Sequence, residues 1–488
     1  MQTSSGFRYA ELADKLEARI RDGSFRAGEK LPSIRGLRLQ TGLSISTVYQ
    51  AYIELEKRGM VEPREKSGYF VKPLLQELLP APRPPVSRLA PKKVNINNMA
   101  FALIEAMGDP KILQLGGALV ASELLPLRQL GAAIRNTPMA SLEKNLATYG
   151  HYQGHEDLRR QIARRMAPLC GAFAPERMVL TNGCMEAVTL GLKAVTRPGD
   201  TVMVESPTFP WFLQVIEDLN LHALEIPTDP RFGIDMELLE GAIRRHAVRA
   251  CIFIANFNNP LGYLMPDEAK RNLVELLNAA NVPIIEDDIY GELHFTPSRP
   301  LPLKAFDRGE GVLYCSSFSK SLSPGLRIGW IHPGRYLDRV KRLKINQSVS
   351  EPALNQWMAA RYLNTGQYDR HLRRLRTHLK NQVGNTALAV ARYFPAGTMI
   401  SAPQGGLTLW VQMDARVDSL KLFRSSLENN IAVMPGIVCA SGDAYKNCIR
   451  LSCGMPYTDR IDQGLQTLAT IARKLIRQAD AKKPKDNP

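Results

Sequence analysis

Lys320 lies in a loop whose residue types suit one kind of chemistry. A short apolar run, Val312-Leu313-Tyr314, leads into a serine-rich segment that holds Lys320, and Arg327 follows seven residues later. A primary amine forms an imine with an aldehyde, and an arginine beside several hydroxyl groups can bind a phosphate. A surface lysine in a serine-rich loop is the simpler interpretation, so the other parts of such a site must be sought elsewhere. The segment reads Ser316-Ser317-Phe318-Ser319-Lys320-Ser321-Leu322-Ser323-Pro324-Gly325-Leu326-Arg327-Ile328-Gly329-Trp330.

Four further segments place suitable residues just beyond predicted strands. One strand leads through Gly183 to Cys184 at the start of a helix, where backbone N–H groups bind phosphate. Phe209 follows a second strand and can stack on a flat ring, and Asn259 follows a third and can donate to a phenolic oxygen. A fourth strand ends in Asp287, an acid that can keep a pyridine nitrogen protonated.

Each of these features has an ordinary explanation when taken alone, because glycine turns and core aromatics are common. Together, however, they all lie at strand ends, and open α/β sheets bind ligands beyond the carboxyl ends of their strands. A lysine for the imine, an acid at the ring nitrogen and a phosphate cup are what pyridoxal 5′-phosphate requires. The sequence therefore predicts a site for that cofactor.

From roughly residue 95 to 475, this ordered set resembles the fold-type I aminotransferases of class I. The resemblance implies that Lys320 is the catalytic lysine and carries the cofactor as an internal aldimine, with Asp287 paired to the pyridine nitrogen. It implies that Asn259 and Tyr290 bond the phenolic oxygen and that Phe209 stacks on the ring. Cys184 stands where the family has a smaller residue, a change that leaves the backbone donor in place. The implied phosphate ligands are Gly183, Cys184, Ser317, Arg327 and, as a helper, Ser319.

Two more positions match the same family. Tyr149, in Tyr149-Gly150-His151-Tyr152-Gln153-Gly154, matches the tyrosine that reaches the phosphate of the partner subunit, which implies a homodimer. Arg450, in Cys448-Ile449-Arg450-Leu451-Ser452, matches the arginine that binds the α-carboxylate of the substrate. A guanidinium fork suits that bidentate contact. Without these neighbours, a strand-edge arginine in a surface ion pair would be the preferred interpretation.

The first seventy residues predict a separate small unit. Leu12, Leu16 and Ile20 form one stripe of an amphipathic helix, and Ser33 is a candidate N-cap for a second helix. A turn at Thr41-Gly42 leads to a third helix, and the segment from Val61 to Val71 is typical of a β-hairpin. Three helices and a hairpin make a winged helix-turn-helix, whose third helix enters the major groove of DNA. The predicted buried face of the third helix is Val48, Ala51, Tyr52 and Leu55.

Residues 7–72 resemble the DNA-binding domain of the GntR family, through Leu-Pro-Ser-x-Arg followed by Ser-x-x-Thr-Val. Many members carry a basic residue just after the turn serine, where this chain has Ile45, which touches a thymine methyl or simply packs. A three-helix protein-interaction module is the alternative. The contacts with double-stranded DNA that the resemblance implies are Arg35 and Thr47, with Ser44, Ser46 and Tyr49 near bases or phosphates and Lys66 and Gly68 on the wing.

Composition limits the classes of partner and the cellular compartment that the chain can be expected to have. The chain has 488 residues and a formal net charge of +16, which favours polyanionic partners. We find no secretory signal and no apolar run near the ~18 residues that span a bilayer. The seven cysteines form no Cys-x-x-Cys or Cys/His cluster, which favours a reducing cytoplasm and argues against a structural metal.

These observations predict a multidomain chain. We expect a winged helix at residues 1–72, a Pro-rich, extended and semi-rigid linker at 73–95, and an α/β aminotransferase-like unit with a mainly parallel sheet at 96–488. Within that unit we expect a large subdomain at about 140–340. The smaller α+β subdomain should comprise about 96–139 and 341–475.

This combination resembles the MocR subfamily of transcription regulators. The resemblance implies a DNA-binding homodimer that holds pyridoxal phosphate on Lys320 and senses the cofactor or an amino compound. A working aminotransferase with the small unit as an accessory tether is the alternative, and a structural dimer with a dead site is a third. The basic helix around Arg370, Arg373, Arg374, Arg376 and Lys380 either touches DNA or is a solvated face.

Overall fold

The small unit at the amino terminus is a winged helix. The computed structural model describes residues 8–26, 28–64, 67–72, 75–85, 89–94, 109, 111–135, 138–171 and 173–481 of the 488. Three helices precede a two-stranded antiparallel hairpin in the small unit. In chain order these elements are α1 (Arg8–Arg21), α2 (Ile34–Thr41), α3 (Ile45–Lys57), β1 (Val61–Arg64) and β2 (Gly68–Val71).

Serine caps and an apolar stripe explain this local structure. Ser33 Oγ accepts a hydrogen bond from the Gly36 backbone at the start of α2, and Ser44 Oγ does the same for Thr47 at the start of α3. The predicted core positions are buried, which confirms the helical periodicity. These residues are Leu12, Leu16, Ile20, Val48, Ala51, Tyr52 and Leu55.

The proline-rich segment differs from the extended linker that its composition predicts. It contains a helical turn, α4 (Leu75–Leu78), and a short strand, β3 (Lys92–Lys93), that pairs with the large sheet. Leu75, Leu78 and Leu79 pack against the core of the large unit, and Ile400 N donates to Pro80 O at 3.0 Å. Burial of these leucines outweighs the preference of the prolines for an isolated extended chain.

The large unit alternates strands and helices. Its strands are β4 (Leu113–Gln114), β5 (Val179–Thr181), β6 (Thr201–Ser206), β7 (His222–Asp229), β8 (Gly233–Ile234), β9 (Val248–Phe253), β10 (Ile284–Asp287), β11 (Val312–Ser317), β12 (Gly329–His332), β13 (Met399–Ile400), β14 (Thr408–Gln412), β15 (Ile431–Ala432), β16 (Met434–Pro435) and β17 (Cys448–Ser452).

The α-helices of the large unit run throughout its length. They are α5 (Leu127–Arg135), α6 (Met139–Ala147), α7 (Glu156–Cys170), α8 (Cys184–Val195), α9 (Pro210–Asp218), α10 (Met236–Arg245), α11 (Asp267–Ala279), α12 (Leu337–Ser348), α13 (Ala353–Asn364), α14 (Gln367–Tyr393), α15 (Ser419–Glu428) and α16 (Asp459–Ala481). Short 3₁₀ turns lie at Ser122–Leu124, Pro175–Arg177, Gly291–Leu293, Leu303–Phe306, Pro324–Leu326, Gly334–Tyr336 and Gly436–Cys439.

A nine-stranded sheet forms the centre of this unit, in the order β3-β7-β6-β9-β10-β11-β12-β5 with β8 paired to β7. The pairs from β7 through β11 are parallel, and β12 joins β11 and β5 antiparallel. This confirms the predicted mainly parallel sheet. Because parallel strands end at the same edge, the segments after β6, β9, β10 and β11 meet there.

A second layer closes over that edge. Its four-stranded antiparallel sheet has the order β13-β14-β17-β16, and β15 pairs in parallel with β4 from much earlier in the chain. The 27-residue helix α14 packs against both α16 and α4. None of the described helices combines the length and the apolar composition needed to cross a membrane.

Close packing at Gly329 generates a prediction. A Cβ on this residue of β12 would lie 2.6 Å from Gly183 O and 2.9 Å from Cys184 N, so Gly329→Ala must push β12 away from the start of α8. We expect a loss of about 1–3 kcal/mol in the free energy of unfolding, measured by urea denaturation. Gly384→Ala is the matched control, because open space surrounds Gly384 within α14 and alanine favours a helix. Equal stability of the two variants would contradict the packing argument.

Candidate functional site

Lys320 is partly buried just beyond the end of β11, in the loop that the sequence singled out. Its Nζ donates a hydrogen bond to Ala118 O at 2.6 Å, across 202 residues of sequence. Burial lowers the pKa of Lys320 to about 8, and the charge of Arg450 lowers it further while Asp287 opposes the shift. A lowered pKa increases the fraction of neutral amine near neutral pH, which is the nucleophilic form.

Asp287 ends β10 and presents a buried carboxyl group to the same region. Its Oδ1 accepts a hydrogen bond from Ile289 N at 3.1 Å and from the Cys184 thiol at 3.2 Å. Burial raises the pKa of Asp287 to about 6, and the two hydrogen bonds reduce the rise. The group is therefore an acid that ionises close to neutral pH and is available to a cationic ring nitrogen.

Arg450 joins the second layer to the sheet edge. Its Nη1 donates to Asn259 Oδ1 at 2.8 Å, its Nη2 donates to Gly116 O, and its Nε is buried without a partner among the described residues. Asn259 in turn donates through Nδ2 to the hydroxyl of Tyr290 at 3.2 Å. Burial raises the pKa of Tyr290, so this hydroxyl stays protonated. One network thus links a guanidinium, an amide and a phenol.

The turn between β5 and α8 has the shape of an anion cup. Gly183 has φ +79°, and a Cβ there would collide with Arg327 Nη2, so only glycine allows the arginine this close. Arg327 itself is left-handed at φ +53° and donates to Asn182 O at 3.1 Å. Ser319 N donates to Ser317 Oγ at 3.2 Å, which fixes that hydroxyl in the lysine loop. The amino end of α8 adds a partial positive charge.

A cavity of about 270 Å³ brings most of the predicted residues together. Gly183 and Ser317 lie next to lining residues but not on the wall, and Tyr149 is 88% exposed and away from it. The predicted residues on the wall are Cys184, Phe209, Asn259, Asp287, Tyr290, Ser319, Lys320, Arg327 and Arg450.

Sequence reasoning missed several residues of the wall. Ala118 contributes the carbonyl that Lys320 meets, and Met434 comes from β16 of the second layer. No motif marks either residue, since tertiary packing alone brings them to the cavity. Trp211 also lines it, two residues after Phe209, and the aromatic cluster beyond β6 was a signal that could have revealed it.

A buried ionic cluster holds the loop after Asp287 in place. The carboxylate of Asp288 accepts hydrogen bonds from Asn256 Nδ2 at 2.9 Å, Tyr314 OH at 2.9 Å and Arg299 Nη2 at 2.7 Å. Burial raises the pKa of Asp288 while Arg299 opposes the rise. These contacts anchor the end of β10 and so position Asp287 without touching the cavity.

The predicted DNA-contacting residues lie on α2, at the start of α3 and on the hairpin. Arg35, Ser46 and Tyr49 are exposed, Gly68 is an exposed residue of the hairpin, and Ile45 is 48% exposed. Lys66 lies outside the described residues. The Ser44 hydroxyl has a structural role as well, because it caps α3 and lies 2.9 Å from Ser46 Oγ and 2.8 Å from Thr47 Oγ1.

Fold and site together define a winged helix joined to the fold of the pyridoxal-phosphate aminotransferases. Two family models match: "Aminotransferase class I and II" over residues 119–468, and "Bacterial regulatory proteins, gntR family" over residues 8–71. The chain belongs to these families, and its architecture is that of the MocR-type regulators, a GntR winged helix fused to an aminotransferase-like domain. The GntR domain implies DNA binding.

Individual relatives have the same organisation. The chain is 37% identical to the HTH-type transcriptional regulator YdcR of Escherichia coli K12, over 96% of this chain and 100% of the relative. It is 36% identical to the regulator YjiR of the same organism, over 94% and 98%. Among solved structures, LysN of Thermus thermophilus, an α-aminoadipate aminotransferase in complex with N-(5′-phosphopyridoxyl)-L-leucine, superposes with a TM-score of 0.72 at 26% identity, covering 79% of this chain and 97% of LysN.

The lowered pKa of Lys320 generates a pH prediction. An amine with a pKa of about 8 is half neutral at pH 8, so covalent attachment of pyridoxal 5′-phosphate should accelerate as pH rises to about 8 and then level off. Stopped-flow absorbance between pH 6 and 10 measures this. Burial dominates the shift and Arg450 adds to it, so Arg450→Met should move the break to higher pH. A wild-type break near the ordinary lysine value of 10.5 would contradict the prediction.

Proposed function

We propose that the aminotransferase-like domain of this regulator binds pyridoxal 5′-phosphate covalently through Lys320 and senses the cofactor or an amino compound. The observation that carries this proposal is the cavity where Lys320 Nζ, Asp287 and Arg327 converge at the sheet edge. Binding of an amino compound in the loaded cavity would change the charge and the contacts of Lys320 and Arg450, and the winged helix would respond through altered DNA affinity. A ligand produces such a response only if it binds two states with different affinity.

The residues of the cavity fit this cofactor. The acid Asp287 suits the pyridine nitrogen, and the pair formed by Asn259 and Tyr290 suits the phenolic oxygen. Phe209 lies at the wall, where its ring can stack. When bound, the cofactor supplies an electron sink for cleavage of a bond next to the amine nitrogen. The phosphate would be held by Gly183, Cys184, Ser317 and Arg327, with Ser319 assisting.

The effector that best suits the cavity is an amino compound with a carboxylate. Arg450 Nε is buried with no partner in the described part of the chain, and the two Nη atoms donate to neutral oxygens, Asn259 Oδ1 and Gly116 O. A carboxylate would exchange these neutral acceptors for charged ones, and charge-assisted bidentate bonds are roughly twice as strong. The same group lowers the cost of burying the guanidinium.

A working aminotransferase is the second candidate. Arg450, Lys320 and Asp287 are the residues that transamination needs, and LysN, which the chain resembles over 79% of its length, is an aminotransferase. The winged helix favours regulation, because an enzyme does not need it. Turnover of an amino acid with a 2-oxo acid therefore separates the two functions.

We further infer that the protein is a homodimer. Large apolar side chains are exposed around the amino-terminal helices of the large unit, including Met139 (67%), Leu146 (70%) and Tyr149 (88%). Gly150 lies next to Glu351 and Ala353, which brings the Tyr149 segment beside exposed Val349. Exposed apolar patches of this kind mark protein interfaces, and a second copy would cover Tyr149 while bringing it to its partner's phosphate.

The sensing proposal predicts a link between Lys320 and DNA affinity. DNA selected from a random pool by the full-length protein serves as the probe, and affinity is measured by fluorescence anisotropy with pyridoxal phosphate and then with each amino acid added. We expect the loaded wild type to change affinity at least several-fold with its effector, and Lys320→Ala not to respond. Conversion of the cofactor absorbance is recorded on the same samples. Rapid transamination together with an unchanged DNA affinity in Lys320→Ala would favour the enzyme instead.

The winged helix generates a prediction of its own. Arg35 is exposed beside the α2 cap, so Arg35→Ala should weaken binding of the same duplex and reduce the slope of log K against log salt by about 1. Lys421→Ala is the control, since it removes one exposed charge on α15 of the large unit. Equal losses in both variants would indicate a general charge effect and contradict a direct contact by Arg35.

A further inference from the structure

Cys184 makes a contact that its place in the phosphate cup does not require. It is the first residue of α8, where the backbone amide suffices for anion binding, yet its side chain turns into the protein and is buried. The thiol lies 3.2 Å from Asp287 Oδ1. Burial raises the pKa of Cys184 well above its usual value, so the sulfur remains a thiol and the carboxylate is the acceptor.

The two oxygens of Asp287 have different surroundings. Oδ1 accepts from both the Cys184 thiol and Ile289 N, whereas Oδ2 has no hydrogen-bond partner among the described residues. Two donors converging on one oxygen fix the rotation of the carboxyl group. The other oxygen is left for a donor that enters the cavity, which Asp287 lines together with Lys320.

Other buried thiols do not share this arrangement. Cys315 is also close enough to feel the charge of Asp287, but its thiol faces Leu313 O at 3.7 Å. Cys251 is fully buried in β9, and burial alone raises its pKa. Cys184 is therefore set apart by its geometry rather than by its burial.

We propose that Cys184 is a positioning residue for Asp287, whose thiol orients the carboxylate toward the pyridine nitrogen of the bound cofactor. This inference rests on the proposed function, since it concerns the same cavity. It also gives the thiol a role that a glycine or alanine at this position would lack. The hydrogen bond favours the ionised carboxylate and so acts against the desolvation that raises the pKa of Asp287.

The test compares the affinity of three variants for pyridoxal 5′-phosphate with that of the wild type. Equilibrium absorbance titrations between pH 5 and 8 are performed on the full-length wild type, Cys184→Ala, Cys184→Ser and Cys251→Ala. We expect Cys184→Ala to weaken binding about 10-fold near pH 6–7, because a hydrogen bond to a charged group is lost. Cys184→Ser keeps a donor and should restore most of the affinity, and Cys251→Ala should match wild type.

The pH profile should shift in a defined direction. Protonation of Lys320, with its pKa of about 8, lowers affinity in wild type and variant alike. Binding also needs the ionised carboxylate, so affinity falls further as pH drops through the pKa of Asp287, which is about 6 in the wild type. Loss of the thiol donor raises this pKa, so in Cys184→Ala the fall should begin at higher pH. A simple packing defect would lower affinity equally at every pH.

Cys184 adjoins both the Asp287 carboxylate and the phosphate-binding turn. Pyridoxal, which lacks the phosphate, distinguishes an effect through Asp287 from an effect through the phosphate. If the thiol acts through Asp287, the loss in Cys184→Ala persists with pyridoxal and disappears in an Asp287→Ala background. A loss seen only with the phosphorylated form, additive effects in the double variant, or no rescue by serine would each overturn the inference. A wild type that binds no pyridoxal phosphate at all overturns the proposed function, and with it this inference.

Discussion

The excess of positive charge around one cavity is the constraint on which the site depends. Lys320, Arg327 and Arg450 line it, and Asp287 is the carboxylate that faces them among the described wall residues. Arg450 is buried and Lys320 is partly buried, whereas Arg327 is exposed. Removing a cation from water costs free energy, which is reduced here by the lowered pKa of Lys320 and by the contacts of Arg450 with two carbonyl oxygens. Such a cavity favours anionic occupants, and a phosphate together with a carboxylate would balance it.

The rest of the fold serves to hold these charges in place. Parallel strands deliver Asn259, Asp287 and Lys320 to one edge, and β17 of the second layer supplies Arg450 from the opposite side. Residues of the two layers then meet over large sequence separations, as in the 191 residues between Asn259 and Arg450. Movement of the second layer relative to the sheet would change the contact between Arg450 and Asn259.

Sequence reasoning predicted the parts of the site that local pattern determines. Asp287 ends a buried strand and Gly183 begins a helix, so both could be placed without coordinates. The Ala118 carbonyl and Met434 could not, because only long-range packing brings them to the cavity. The structure of the proline-rich segment differs from the predicted extended linker for a related reason. Proline content describes an isolated chain, whereas Leu75 and Leu78 are stabilised by packing against the core of the large unit, which the local sequence does not reveal. The Cys184 contact likewise depends on a carboxylate 103 residues away.

Packing of the proline-rich segment against the large unit limits which aminotransferases could be fused to this winged helix. Leu75, Leu78 and Leu79 pack against the apolar core of the large unit, and β3 extends its sheet. The described residues 75–85 and 89–94 of this segment thus include parts that pack on the large unit. A winged helix transferred with this segment to another aminotransferase would need a matching groove for these leucines, so gene fusion alone would leave the segment undocked.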